Sequence, residues 1–261
     1  MKRGLVALAA AGVVALVAGG ASAGLPAAPD PGFAPRPDAV LPLGAALVDE
    51  EGRPVTLGRY FTGSPVVLVL EYLRCKTFCG LTLSGLMSTL GALPLAAGRD
   101  YQLVAISIDP RDSAADNAAA KAKYLALFGR PGGAAGFHFL GGTEAQVRAV
   151  ADAIGFHYRY DAALDQYTHP AGFIVATPDG RIGGAPFGIA ASPAELQQAI
   201  GDAAEDRPPS PLRRFILLCH VEGARLGRFT VPVLAALTGA DIVAGLCLIA
   251  LFARLGRRRR F

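Results

Sequence analysis

No glycine-rich phosphate loop follows any strand-like run of this 261-residue chain, no internal repeat recurs along it, and no Cys-x-x-Cys-His occurs. The first absence argues against nucleotide binding and the last against covalent haem attachment. Gly132-Gly133 and Gly141-Gly142 read as loop punctuation instead. A nucleic-acid footprint is also missing. The net charge is +4, but Arg254 and Arg257 to Arg260 crowd the last few positions, and the remainder is slightly acidic.

The two ends carry targeting signals. Lys2 and Arg3 precede a short apolar stretch and the small-residue run Ala21-Ser22-Ala23, the order of a secretory signal peptide over residues 1–23. Residues 229–253 contain one charge, Asp241, and are long enough to cross a bilayer as a single helix. An acidic group near the centre of such a helix costs about 2.5–3.5 kcal/mol on insertion scales. Asp241 therefore faces a second helix or is carried protonated. The arginines of 254–261 mark a cytoplasmic tail. Both signals give one topology: a single-pass protein of the cell membrane whose body is extracytoplasmic, in the periplasm.

Between these ends lies enough chain for one domain. Residues 24–41, rich in Pro, Ala and Gly, read as a flexible lead-in, and 205–228, with Arg207-Pro208-Pro209-Ser210-Pro211, as a linker and juxtamembrane segment. Within 42–204, the apolar β-branched run 66–72 predicts a strand buried on both faces, and 101–108 a second one. Helices are predicted over 81–93, 113–128 with Ser113 as cap, 143–154, and 192–200. A strand over 172–177, a turn at Pro178-Asp179-Gly180 and a partner at 181–186 complete an α/β pattern with a mostly parallel sheet.

The four cysteines fall into classes. Cys247 lies in the anchor, where a small apolar side chain is ordinary; Cys219, beside His220, is open to readings as a spare thiol, a redox partner or part of a metal site. Cys75 and Cys79 sit where a buried strand gives way to a helix. There the first-turn amides favour thiolate over thiol, and Arg74 and Lys76 flank Cys75. Their spacing lets both sulfurs converge on one metal ion or close into a disulfide. A structural disulfide would suit an oxidising compartment, but the end of a central strand is where open α/β sheets place their sites. His169, held extended by Pro170, precedes a strand; two thiolates and an imidazole are a soft donor set suited to copper. His138, between Phe137 and Phe139, and His157 read as structural. Asp109 either starts a helix-initiating turn or orients a ligand or partner from behind.

Together Leu70-Glu71-Tyr72-Leu73-Arg74-Cys75-Lys76-Thr77-Phe78-Cys79-Gly80, Ser107-Ile108-Asp109-Pro110-Arg111-Asp112 and His169-Pro170-Ala171-Gly172, leading to Thr177-Pro178-Asp179-Gly180, resemble the Sco/SenC family. Its members are copper proteins serving assembly of the binuclear copper centre in subunit II of cytochrome c oxidase. The resemblance implies a thioredoxin-like domain with copper held by Cys75, Cys79 and His169. Two departures stand out: Lys76 replaces the proline common after the first cysteine, and the anchor is C-terminal rather than N-terminal. The expected function is a copper metallochaperone passing its metal to subunit II or another copper acceptor. A thiol-disulfide oxidoreductase using the Cys75–Cys79 pair to reduce acceptor cysteines is the alternative, and a peroxide-reducing thiol enzyme a third reading.

Overall fold

Residues 66–71, Val-Val-Leu-Val-Leu-Glu, contain three β-branched side chains and no polar group until the last position. In the computed structural model, which describes residues 31–35, 39–73, 80–183, 188, 191–207 and 238–239, they form the central strand β4 (Val66–Glu71), every residue of it buried. Preceding it are β1 (Gly32–Phe33) and the hairpin of β2 (Ala46–Val48) and β3 (Pro54–Thr56). After it come α1 (Gly80–Ala92), β5 (Gln102–Ser107), α2 (Ala114–Phe128), β6 (Phe137–Leu140) and α3 (Glu144–Ala153). Then follow β7 (Phe156–His157), a hairpin of β8 (Arg159–Asp161) and β9 (Gln166–Thr168), β10 (Phe173–Ala176) and α4 (Pro193–Ala204).

The main sheet runs β10-β4-β5-β6, with β4, β5 and β6 parallel and β10 antiparallel to β4. Alternation along the strands divides the core in two. Val67, Val69, Leu103 and Ala105 face α1, α2 and α4 through Leu83, Leu86, Tyr124 and Leu196. Val66, Leu68, Val104 and Ile106 face the other side, where Leu47, Val55, Val147, Phe156 and Tyr158 cover them. The sheet is therefore covered on both faces, as the continuous apolar runs predict.

Helix starts follow the sequence closely. Ser113, Thr143 and Ser192 each build a reciprocal capping box, with Asp116, Gln146 and Glu195 answering three residues on, so two orphan amides are satisfied at each start. The expected turn at Pro178-Asp179-Gly180 forms too. Thr177 N–H donates to the Arg181 carbonyl at 2.8 Å, and Ile182 bridges back to Ala176.

The lead-in differs from expectation. Gly32 and Phe33 pair with His157 and Phe156, Phe33 meets Phe156 edge-on at 5.2 Å, and the Ala34 amide bonds the Gly155 carbonyl at 2.8 Å. Part of the segment read as flexible is thus docked on the domain. Gly155 makes this docking possible: its φ is +65°, and a Cβ there would stand 2.1 Å from the Ala34 carbonyl oxygen, a position open only to glycine. The expected signal peptide, the segment 208–228 and the expected anchor, apart from Thr238 and Gly239, lie outside the described residues. Among the described residues no helix is long and apolar enough to cross a membrane.

Candidate metal centre

Strand direction brings the chemistry to one edge. β4 and β5 run parallel, so the residues following Glu71 and Ser107 leave the sheet at the same end. β10 is antiparallel, pairing Phe173 with Val69, so the residues preceding it arrive at that end as well. His169, Asp109 and the chain leading into Cys75 therefore share one sheet edge. Cys75 and Cys79 themselves lie outside the described residues. Among those described, no three metal-binding side chains converge.

His169 is half-buried, its ring 6.1 Å from that of Phe156. Its Nδ1 lies 2.9 Å from the Pro170 carbonyl oxygen. That oxygen can only accept, so Nδ1 carries the proton and Nε2 keeps its lone pair. Nε2 is buried and has no hydrogen-bond partner among the described residues. Burial, the larger effect, lowers the imidazole pKa against the opposing Pro170 contact. The result is a neutral imidazole, tautomer set, presenting an unused donor. Buried polar atoms without partners are rare, and a metal ion is one partner that fits this atom.

Asp109 is fully buried and occupies a different position from a bare turn former. Its carboxylate takes bonds from Arg111 Nε at 2.8 Å and Nη2 at 2.7 Å. The same guanidinium reaches across to Asp165 Oδ1 at 2.7 Å and lies 5.2 Å over the Tyr160 ring. Both carboxylates hold Arg111 firmly charged. Tyr160 donates to Asp165 Oδ1 as well, and Tyr72 to the Asp165 carbonyl. Asp109 thereby ties the exit of β5 to the β8–β9 hairpin, whose second strand runs directly into His169. Its geometry supports orienting that approach from behind, and it also accepts the Arg111 amide in a local turn.

The other two histidines in the domain are occupied elsewhere. His138 Nε2 meets Gln102 Oε1 at 3.1 Å, its ring lies tilted against that of Tyr60 with centroids 4.3 Å apart, and burial drives its pKa down to about 4. His157 sits on β7, 4.0 Å from Asp152.

One residue at this edge escaped the sequence reading. Glu71, at the end of β4, is 1% exposed, and its Oε1 has no hydrogen-bond partner among the described residues. Desolvation dominates and raises its pKa to about 8, against smaller lowering effects from the Tyr72 amide and Lys123. The signal was a lone carboxylate closing an otherwise apolar strand. Its consequence for stability has a definite sign. Above the ordinary carboxylate range the unfolded chain loses this proton while the folded protein keeps it until about pH 8. Folding therefore takes up a proton within that window, and raising the pH works against the folded state. Relative to Glu71→Gln, the native protein should lose a few kcal/mol between about pH 4.5 and 8, after which the difference levels off. Urea unfolding of both proteins across this range measures it; a constant difference would refute the burial of a neutral acid here.

The SCO1/SenC family model matches residues 45–205. No curated protein matches the chain. A solved candidate electron-transfer protein of Aquifex aeolicus VF5 is similar, at 22% identity and a TM-score of 0.57, covering 66% of this chain and 96% of its own. Arabidopsis thaliana ScoI, solved with copper bound, is similar at 17% identity and a TM-score of 0.51, covering 66% of this chain and 99% of its own. At such identities the likeness establishes a shared fold.

Proposed function

Because the chain belongs to the SCO1/SenC family, we propose that it is an extracytoplasmic copper metallochaperone holding its cargo with Cys75, Cys79 and His169. The observation that carries this reading is the buried Nε2 of His169, unpartnered among the described residues, tautomer set, at the sheet edge where β4 ends a few residues before Cys75. Copper in the solved Arabidopsis relative is consistent with it. The acceptor is the binuclear copper centre of cytochrome c oxidase subunit II, or another copper acceptor. The apolar segment 229–253 holds the domain at the outer face of the membrane, with the basic tail inside.

The donor set accounts for the chemistry. Two thiolates and one imidazole are soft ligands at low coordination number, which favours Cu(I). Loading releases the thiol protons, and transfer proceeds by ligand exchange with no turnover of the protein. His169 requires no proton loss, since its Nε2 is already bare. Arg111 keeps the β8–β9 hairpin against Asp109, so the approach to His169 is fixed before copper arrives.

After anaerobic reduction and loading, the full chain should retain one copper per molecule through desalting, and iodoacetamide treatment before loading should abolish retention. Copper kept equally by the alkylated protein would refute the thiolate assignment. The alternative, a thiol-disulfide oxidoreductase, predicts that His169→Ala retains both function and exchange rate towards an acceptor disulfide.

A further inference from the structure

This chain has no tryptophan and seven tyrosines, so phenols are its most easily oxidised rings. Four of them gather at the β8–β9 hairpin. Tyr160 and Tyr167 are direct cross-strand partners, which sets their side chains on one face, and their ring centroids stand 5.1 Å apart. Tyr167 also meets Tyr72 at 5.4 Å and Tyr158 at 5.8 Å. Tyr72 and Tyr158 are buried, whereas Tyr160 is 41% exposed. The remaining three, Tyr60, Tyr101 and Tyr124, are buried elsewhere in the domain.

The hydroxyls differ in what stands ready to receive their protons. That of Tyr158 is buried with no partner among the described residues. Tyr72 donates to the Asp165 backbone carbonyl at 3.4 Å, a weak base. Tyr160 donates to the Asp165 carboxylate, at Oδ1, at 2.7 Å, and among the described residues it alone of the four has such an acceptor. Asp165 adopts φ +48°, a left-handed conformation that aspartate tolerates, with its carbonyl bonded to Tyr72 and its carboxylate to Tyr160 and Arg111. Arg111 bonds the same Oδ1 at 2.7 Å, and its guanidinium lies 5.2 Å over the Tyr160 ring. This cation has no site for a further proton, and it opposes positive charge on the ring beneath it. An electron therefore leaves Tyr160 readily only if the phenolic proton leaves with it. The Asp165 side chain is 71% exposed, so it can hand that proton on to water.

We propose that Tyr160 and Asp165 form a proton-coupled one-electron donor site at the surface of the domain, serving diffusible one-electron oxidants of the class of small inorganic radicals. In the step, the oxidant takes one electron from the phenol and is reduced by it. The O–H bond of Tyr160 breaks, and its proton forms a new O–H bond at the Asp165 carboxylate. The products are a neutral phenoxyl radical, a carboxylic acid and the reduced oxidant. Arg111 keeps its charge throughout and holds Asp165 in place. The site depends neither on copper nor on the cysteines.

The test oxidises the metal-free full chain, its thiols blocked with iodoacetamide, by the photogenerated trivalent ruthenium tris-bipyridine ion. Absorption and paramagnetic resonance follow the phenoxyl radical. In wild type its rate of formation should not change with the concentration of added imidazole, because Asp165 already takes the proton. Tyr160→Phe should lose most of the signal. Asp165→Asn keeps the side-chain shape and tolerates the left-handed backbone, yet an amide is no base. It should slow radical formation at least about tenfold, a modest share of the about 100-fold that a positioned base contributes to a proton transfer, and added imidazole should restore the rate. If the bonds to Asp165 only pin the hairpin, folded Asp165→Asn will coincide with wild type, which overturns the proposal. An equally strong radical in Tyr160→Phe overturns it too. So does a wild-type rate that climbs with imidazole as that of free N-acetyltyrosinamide does, and this last arm needs only unsubstituted protein, so failure of a variant to fold leaves the test intact.

Discussion

His169→Ala should weaken Cu(I) binding by the full chain by at least about 100-fold in competition with a chromophoric chelator. Losing an outer partner of a ligand typically costs about 10–100-fold, and here the ligand itself goes. The substitution leaves the fold nearly untouched: the ring is half-buried, and among the described residues its one hydrogen bond runs to the neighbouring Pro170 carbonyl. The loss should therefore appear without a matching drop in stability. His138→Ala and His157→Ala supply the contrast. His138 is bonded to Gln102 and packed against Tyr60, and His157 lies on β7 beside Asp152; neither change should alter affinity. Cys75→Ser and Cys79→Ser should each match or exceed the His169 loss.

Phe173→Ala should destabilise the protein by about 3–5 kcal/mol, the usual range for emptying a fully buried aromatic site, as measured by urea unfolding. Phe173 is 1% exposed, starts β10 opposite Val69, and belongs to the core under α1 and α4. Against the total stability of an ordinary domain, about 5–15 kcal/mol, this is a large fraction. Because β10 is the strand that His169 precedes, copper affinity should fall as well, but less than in His169→Ala. Leu164→Ala, at a hairpin position 64% exposed, should remain within about 0.5 kcal/mol of wild type. A Phe173→Ala cost no larger than that of Leu164→Ala would contradict the packing described.

What could be read beforehand was local. The buried strands β4 and β5 are written in unbroken apolar runs, and the capping boxes at Ser113, Thr143 and Ser192 each involve residues three apart. The order Cys75, Cys79, Asp109, His169 suggested one sheet edge, and strand direction supports it for the described members. What escaped depends on contacts distant in sequence. β1 is two residues long and exists only because Phe156 and Gly155 receive it. The β8–β9 hairpin turns through Asp161-Ala162-Ala163-Leu164-Asp165, with no glycine or proline to announce it; Asp165 adopts φ +48° and Asp161 caps the turn amides. Arg111 bridges Asp109 to a residue 54 positions away, which no spacing rule reveals. Glu71 was hidden in plain view, because a single carboxylate at the end of an apolar strand reads as the strand leaving the core.

X-ray absorption on the copper-loaded full chain, reduced and anaerobic, tests the central claim most directly. The account predicts copper surrounded by two sulfur donors and one imidazole nitrogen, with the nitrogen component lost in His169→Ala. A site made only of sulfur, or only of nitrogen and oxygen, unchanged in that variant, would contradict it.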